Sequence, residues 1–225
     1  MRSFRVALGL ATATALVLVP AGSAHASYWY TTANWHMDET AGAPYMTDSS
    51  GYANHGRVYN VVTGTTGYSR YGYYFQPNSV AAVASSTTLN PGSRDITITE
   101  NVLTTARVRD WNVTQKGFST TPGGQYKIEI RPRNGGGVVA CAFRGSLRHA
   151  VIVAGPNVAD GRWHHIVCAK YASSIALKVD DGPVYRQYVT VGTISNTEGL
   201  TIGGKAPGDD QYIGRVDEVT VQILV

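Results

Sequence analysis

The chain has 225 residues, 43% hydrophobic and 15% charged, with 19 lysines and arginines against 15 aspartates and glutamates and a formal charge of +4. That length supports one large domain with a real core and leaves little room for two. The basic residues Arg107, Arg109, Arg131, Arg133, Arg144 and Arg148 are spread through polar and apolar stretches, which excludes the concentrated basic patch of a nucleic-acid binder.

The first element is a leader. Arg2 and Arg5 precede an apolar run, Val6 to Val19, and Pro20, Gly22 and the small-residue sequence Ala24-His25-Ala26 follow it. The run is too short to span a bilayer, which takes about 20 apolar residues. Charged start, apolar core and A-x-A exit together predict a signal peptide over residues 1–26 and secretion of residues 27–225 as one domain. Removal of the leader would lower the formal charge from +4 to +2.

Beyond residue 27 the pattern is β throughout, and no segment has a convincing helical period. Short runs of Val, Ile, Thr and Tyr predict strands at Asp95–Val108, Gln125–Arg131, Val138–Phe143, Ala150–Val153, Trp163–Tyr171, Ile175–Val179, Gly199–Ile202 and Tyr212–Ile223. Between them lie Pro122-Gly123-Gly124, Asn134-Gly135-Gly136-Gly137, Asp160-Gly161, Asp181-Gly182 and Gly203-Gly204, the residues that supply positive φ in hairpin turns. Strands joined by short turns pair antiparallel, and a sheet with one apolar face buries it against a second. An all-β sandwich is the expectation. The chain has two cysteines, Cys141 and Cys168, both in strand-like surroundings; in an oxidising compartment they are expected to form one disulfide. Alternation along Trp163–Tyr171 sends His164 and His165 to opposite faces, so they cannot easily share a metal ion, and Trp163 is expected in the core.

Several segments, in order, resemble laminin G-like domains of the concanavalin A-like lectin/glucanase superfamily. Trp35-His36-Met37-Asp38-Glu39-Thr40-Ala41-Gly42 with Asp48-Ser49-Ser50-Gly51-Tyr52-Ala53-Asn54-His55-Gly56 is similar to the opening of such domains. Gln115-Lys116-Gly117, Asp160-Gly161-Arg162-Trp163-His164-His165 and Leu177-Lys178-Val179-Asp180-Asp181-Gly182 follow. Ile202-Gly203-Gly204-Lys205 and Tyr212-Ile213-Gly214-Arg215-Val216-Asp217-Glu218-Val219 close the series. The resemblance covers nearly all of residues 27–225 and implies a jelly-roll β-sandwich of two curved antiparallel sheets. One departure is Glu100-Asn101, standing where the family usually carries an aromatic residue.

Calcium takes six to eight oxygen ligands, and acidic and amide side chains gather near both chain ends. The resemblance implies a structural calcium between the N-terminal segment and an aspartate of the closing strand; Glu39, Asp48, Asn54 and Asp217 are the candidate ligands. The alternative is an Asx-type turn at Asp48 and a local partner for Asp217.

Glycoside hydrolysis usually needs two carboxyl groups roughly 5–10 Å apart, and the compact E-x-D-x-x-E strand of the superfamily's glucanases is absent from this sequence. No G-x-S-x-G nucleophile context occurs either. The expectation is therefore noncatalytic recognition of an extracellular polysaccharide or glycan, with Trp111, Tyr126 and Arg131 as candidate carbohydrate contacts. A polysaccharide-active hydrolase or lyase with a non-standard site is one alternative. An extracellular adhesion domain bound to a cell-surface protein, using Tyr28-Trp29-Tyr30 or the stretch from Tyr68 to Phe75, is another.

Overall fold

A computed structural model describes residues 27–106, 108–206 and 209–225. The expected leader and Arg107 lie outside the described residues. The first strands are β1 (Trp29–Trp35), β2 (Tyr45–Met46), β3 (Gly56–Tyr59), β4 (Val62–Thr66), β5 (Tyr71–Phe75) and β6 (Val80–Val83), followed by a 3-10 turn at Thr87–Leu89. The middle of the chain supplies β7 (Ile96–Leu103), β8 (Trp111–Lys116), β9 (Gln125–Arg133), β10 (Gly136–Arg144) and β11 (His149–Ala154). The last are β12 (His164–Tyr171), β13 (Ser174–Val179), β14 (Tyr185–Tyr188), β15 (Leu200–Ile202) and β16 (Gly214–Leu224).

The strands form two antiparallel sheets packed as a jelly-roll sandwich. The first runs β14-β13-β12-β7-β16-β5-β4, with β1 paired to the later part of β16, and the second runs β11-β10-β9-β8-β15-β6-β3-β2. Consecutive strands β7 and β8 lie in different sheets, so the chain crosses the sandwich between them.

Period-two alternation decides which side chains meet between the sheets. From the second sheet come Tyr126, Ile128 and Ile130 of β9 and Val139, Cys141 and Phe143 of β10, and from the first Ile96 and Ile98 of β7 and Ile166 and Cys168 of β12. All are buried. The turn glycines matter most where neighbours crowd them: at Gly203, φ is +89° and a Cβ would meet the Phe75 ring at 2.0 Å. The Ile202-Gly203-Gly204-Lys205 motif is thus a packing requirement.

The expected strands are present, with differences at their ends. β7 stops at Leu103 rather than Val108 because the Thr104 hydroxyl turns the chain, accepting from the Ala106 N–H and donating to the Ile213 carbonyl. Trp163 is not in the core: it precedes β12 half-buried, its ring edge-on to Tyr68 at 6.0 Å. His164 and His165 do point to opposite faces. His164 is buried between Asp160, at 3.0 Å from Nε2, and Asp180, at 2.7 Å from Nδ1. The Asp160-Gly161-Arg162-Trp163-His164-His165 and Leu177-Lys178-Val179-Asp180-Asp181-Gly182 motifs therefore meet in a structural clamp.

Cys141 and Cys168 are joined, their Cα atoms 5.5 Å apart. The bond links β10 of the second sheet to β12 of the first, crossing the core. Closing a loop of this length stabilises by about 3–4 kcal/mol in the chain-entropy model. Replacing both cysteines with alanine is expected to lower the melting temperature by about 10 °C, measured by differential scanning calorimetry; a drop below about 2 °C would show that packing alone holds the sheets.

Candidate functional site

Because Tyr126, Ile128 and Ile130 face inward, Lys127, Glu129 and Arg131 must face outward. The same rule carried through the pairing places Tyr45, Arg57, Ala82, Thr201, Gln115, Lys127, Ala142 and Val151 in one row across all eight strands of the second sheet. Small side chains in its middle leave a shallow surface bounded by larger groups at both ends.

At one end Tyr45 and Tyr59, 53% and 47% exposed, stand beside Arg57. Tyr45 is directly opposite Arg57 on the neighbouring strand, and Tyr59 lies two residues further along β3, on the same face. With His55, Ala82 and Ala84 they line a groove of about 400 Å³. The Arg57 guanidinium sits over the Tyr45 ring, 5.3 Å from its centroid, a cation–π arrangement that holds its plane. Gly56 lets β3 lie flat here, since a Cβ would come within 2.7 Å of Met46 Cε.

At the other end Glu129 accepts from Lys127 and from Arg131, whose Nη2 and Nε lie at 2.7 and 3.0 Å. Burial, then the charges of Lys127, Arg144 and Arg131, hold the His149 imidazole below its usual range. Lys205 pairs with Asp210, which also accepts from Asn112 Nδ2 at 3.2 Å. Glu129 and Asp210 offset part of the positive charge in this half.

The expected sugar contacts do not assemble into a site. Trp111 is buried, edge-on to Tyr212 at 5.7 Å, and only borders a cavity of about 620 Å³ with Arg109, Asp110, Asp210 and Ile213. Its indole face belongs to the core. Tyr126 is fully buried, its hydroxyl donating to the Leu89 carbonyl at 3.0 Å, and burial pushes its phenol far up. Of the three, Arg131 alone faces solvent, engaged with Glu129. Tyr45 and Tyr59 went unnoticed because their strands are two and four residues long, too short for alternation to show.

The candidate calcium ligands do not converge either. Asp48 is buried, a condition that raises a carboxyl's pKa, yet donors outweigh it: the N–H groups of Ser50, Asn34 and Asn54 and the Ser50 hydroxyl hold it below the usual range. Asn54 donates to the Thr32 carbonyl and the Thr88 hydroxyl. Glu39 accepts from Thr47 N–H and Tyr73 Oη. Asp217, pushed up to about 6 by burial, accepts from the Ser69 and Glu218 N–H groups. Among the described residues no group of three or more His, Cys, Asp or Glu is arranged to hold a metal ion. In this structure Asp48, Asn54, Glu39 and Asp217 each hold turns or loops of the fold.

Residues 76–222 match the family model described as the concanavalin A-like lectin/glucanases superfamily. The chain belongs to this superfamily. No curated protein matches the chain by sequence. Among solved structures, the chain is similar to domain 4 of AbnA, an extracellular arabinanase from Geobacillus stearothermophilus solved with arabinotriose. The identity is 12%, the TM-score 0.63, and the match covers 88% of this chain and 95% of that one. It is also similar to the binding domain of Paraclostridial Mosquitocidal Protein 1, at 13% identity and TM-score 0.67, covering 85% of this chain and 48% of that one. A mouse laminin α1 LG4-5 pair matches at 18% identity and TM-score 0.53, over 68% of this chain and 42% of that one. The chain thus spans about half the length of the toxin domain and nearly all of the arabinanase domain. At these identities the likeness establishes the fold.

Within this lectin fold, Glu100 does not belong to an outer surface. It points between the sheets from β7, fully buried, with Thr114 Oγ1 donating to Oε2 at 2.5 Å and Oε1 unpartnered. Asn101, next to it, points outward and meets His165 Nδ1 at 3.0 Å. Burial raises the Glu100 carboxyl to about 8 against the pull of Thr114. The folded state therefore keeps a proton that the unfolded chain releases, and stability falls as pH rises from about 4.5 to about 8. Glu100→Gln removes that titration: its melting temperature should exceed the parent's by several degrees at pH 8 and match it near pH 4.5. A pH-independent difference in thermal scans would contradict the buried neutral acid.

Proposed function

We propose that the protein is a secreted, noncatalytic carbohydrate-recognition module that holds a glycan against the outer face of the second sheet at Tyr45, Arg57 and Tyr59. The observation that carries this reading is the pair of half-exposed tyrosine rings on one face, beside a guanidinium, over a groove floored by Ala82 and Ala84. A pyranose or furanose ring presents C–H groups on its faces and hydroxyls around its edge. Aromatic rings take the first, and planar multidentate donors such as arginine take the second. The alanines keep the floor low enough for a chain to lie across it, and the row continues over Thr201, able to bond hydroxyls.

The resemblance to an arabinanase domain solved with arabinotriose supports the ligand class. The expected leader over residues 1–26 would agree with work outside the cell. The lack of catalysis is supported by the isolation of Glu129, whose carboxylate is taken by Lys127 and Arg131, and by Glu100 lying in the core. A protein-adhesion reading draws on Tyr28, Trp29 and Tyr30, 62%, 42% and 45% exposed at the start of the first sheet. It competes for a different surface.

Tyr45→Ala and Tyr59→Ala are each expected to weaken retention in polysaccharide-containing native gels by about tenfold, the scale of one lost ring contact. Tyr188→Ala, 84% exposed at the far edge of the first sheet, should leave retention unchanged. Reducing-end and unsaturated-product assays on the same polysaccharides should stay blank. Retention indifferent to both groove tyrosines, or appearance of products, would refute the reading.

A further inference from the structure

The groove is electrostatically one-sided. Its lining includes His55 and Arg57 and no aspartate or glutamate. Among the described residues Arg57 has no carboxylate partner; the contact recorded for its guanidinium is the Tyr45 ring. Farther along the same sheet Lys127 and Arg131 share Glu129, and Lys205 pairs with Asp210. The acids nearest the groove in sequence are already spent: Glu39 on Thr47 and Tyr73, Asp48 on Asn34, Ser50 and Asn54.

His55 adds a donor. Its Nδ1 accepts from the Asp48 N–H at 3.0 Å, which places the ring proton of the neutral imidazole on Nε2. The groove therefore offers a guanidinium stacked on Tyr45, an imidazole N–H and two phenols, with no carboxylate in its lining. A guanidinium in this state is suited to bidentate contact with a planar carboxylate.

We propose that the glycan bound here carries carboxylates: the ligand is a polyuronate, with Arg57 holding the uronate carboxyl and Tyr45 and Tyr59 the ring faces. This rests on the groove being the glycan site. Two independent features point to the acid, the unmatched Arg57 beside spent carboxylates and the tautomer imposed on His55 by a backbone donor. Contact between exposed opposite charges is screened by salt, so retention of such a ligand should fall with ionic strength.

The test is native electrophoresis of the full chain through gels containing polygalacturonate, the same backbone in methyl-esterified form, dextran sulfate or neutral arabinan. The proposal expects retention by polygalacturonate at least tenfold stronger than by the esterified form or arabinan. It also expects that retention to weaken several-fold between 50 and 300 mM salt. Arg57→Gln should abolish the preference, and Arg57→Lys should restore only part of it. Equal retention of esterified and free forms, lost in Tyr45→Ala and Tyr59→Ala but kept in Arg57→Gln, would overturn the acidic preference while leaving glycan binding intact. Retention by dextran sulfate as strong as by polygalacturonate would overturn the carboxylate assignment in favour of a general anion site. No retention by any polysaccharide would remove the carbohydrate reading itself.

Discussion

In the second sheet the side-chain period of two leaves each strand a single choice: whichever residues face the core, their neighbours must point to the other side of the sheet. Tyr126, Ile128 and Ile130 settle that choice for β9, and Gly56 and Val58 for β3, so one register governs eight strands. The outer row from Tyr45 to Val151 is the other side of the same decision. A slip of one residue in β3 would turn Arg57 and Tyr59 into the core and expose Val58, destroying the groove and the packing together.

Two features tie this sheet to the other across the interior. The Cys141–Cys168 bond is covalent and sits among aliphatic side chains; the Thr114 hydroxyl to Glu100 contact is polar and sits near Tyr212. The first constrains the unfolded chain. The second involves a buried acid whose burial costs more stability as pH rises. Both lie beneath the sheet, so they hold the face that carries the groove without forming part of it.

The β-rich runs of β7, β9, β10, β12 and β16, together with their turn glycines, made the sandwich legible from residues alone. The order of the motifs identified the family. The stretch from residue 27 to residue 94 was not legible as strands, because β2 and β3 are short and β1 and β4 show register shifts that interrupt alternation. That is where the groove lies. Trp111 and Tyr126 were plausible sugar contacts by residue type, but type does not report facing: a core of this size needs large rings, and the inward positions of β8 and β9 take them. Asp48 and Asp217 were likewise visible as acids. Their partners, backbone N–H groups in turns, cannot be read from a one-dimensional pattern.

A superfamily scaffold accommodates many ligands because its sheet face can be redecorated without changing its core. Here the decoration is two tyrosines, an unmatched arginine and a backbone-oriented histidine above small residues, clear of the ion pairs around Glu129. The most direct measurement is amide chemical-shift mapping of the isotope-labelled protein titrated with a short oligosaccharide of the class it retains. The account predicts that the largest shifts fall on Tyr45, His55, Arg57, Tyr59 and Ala82 and fade toward Gln115. Shifts concentrated around Trp111 and Ile213, or on the outer face of β12, would contradict it.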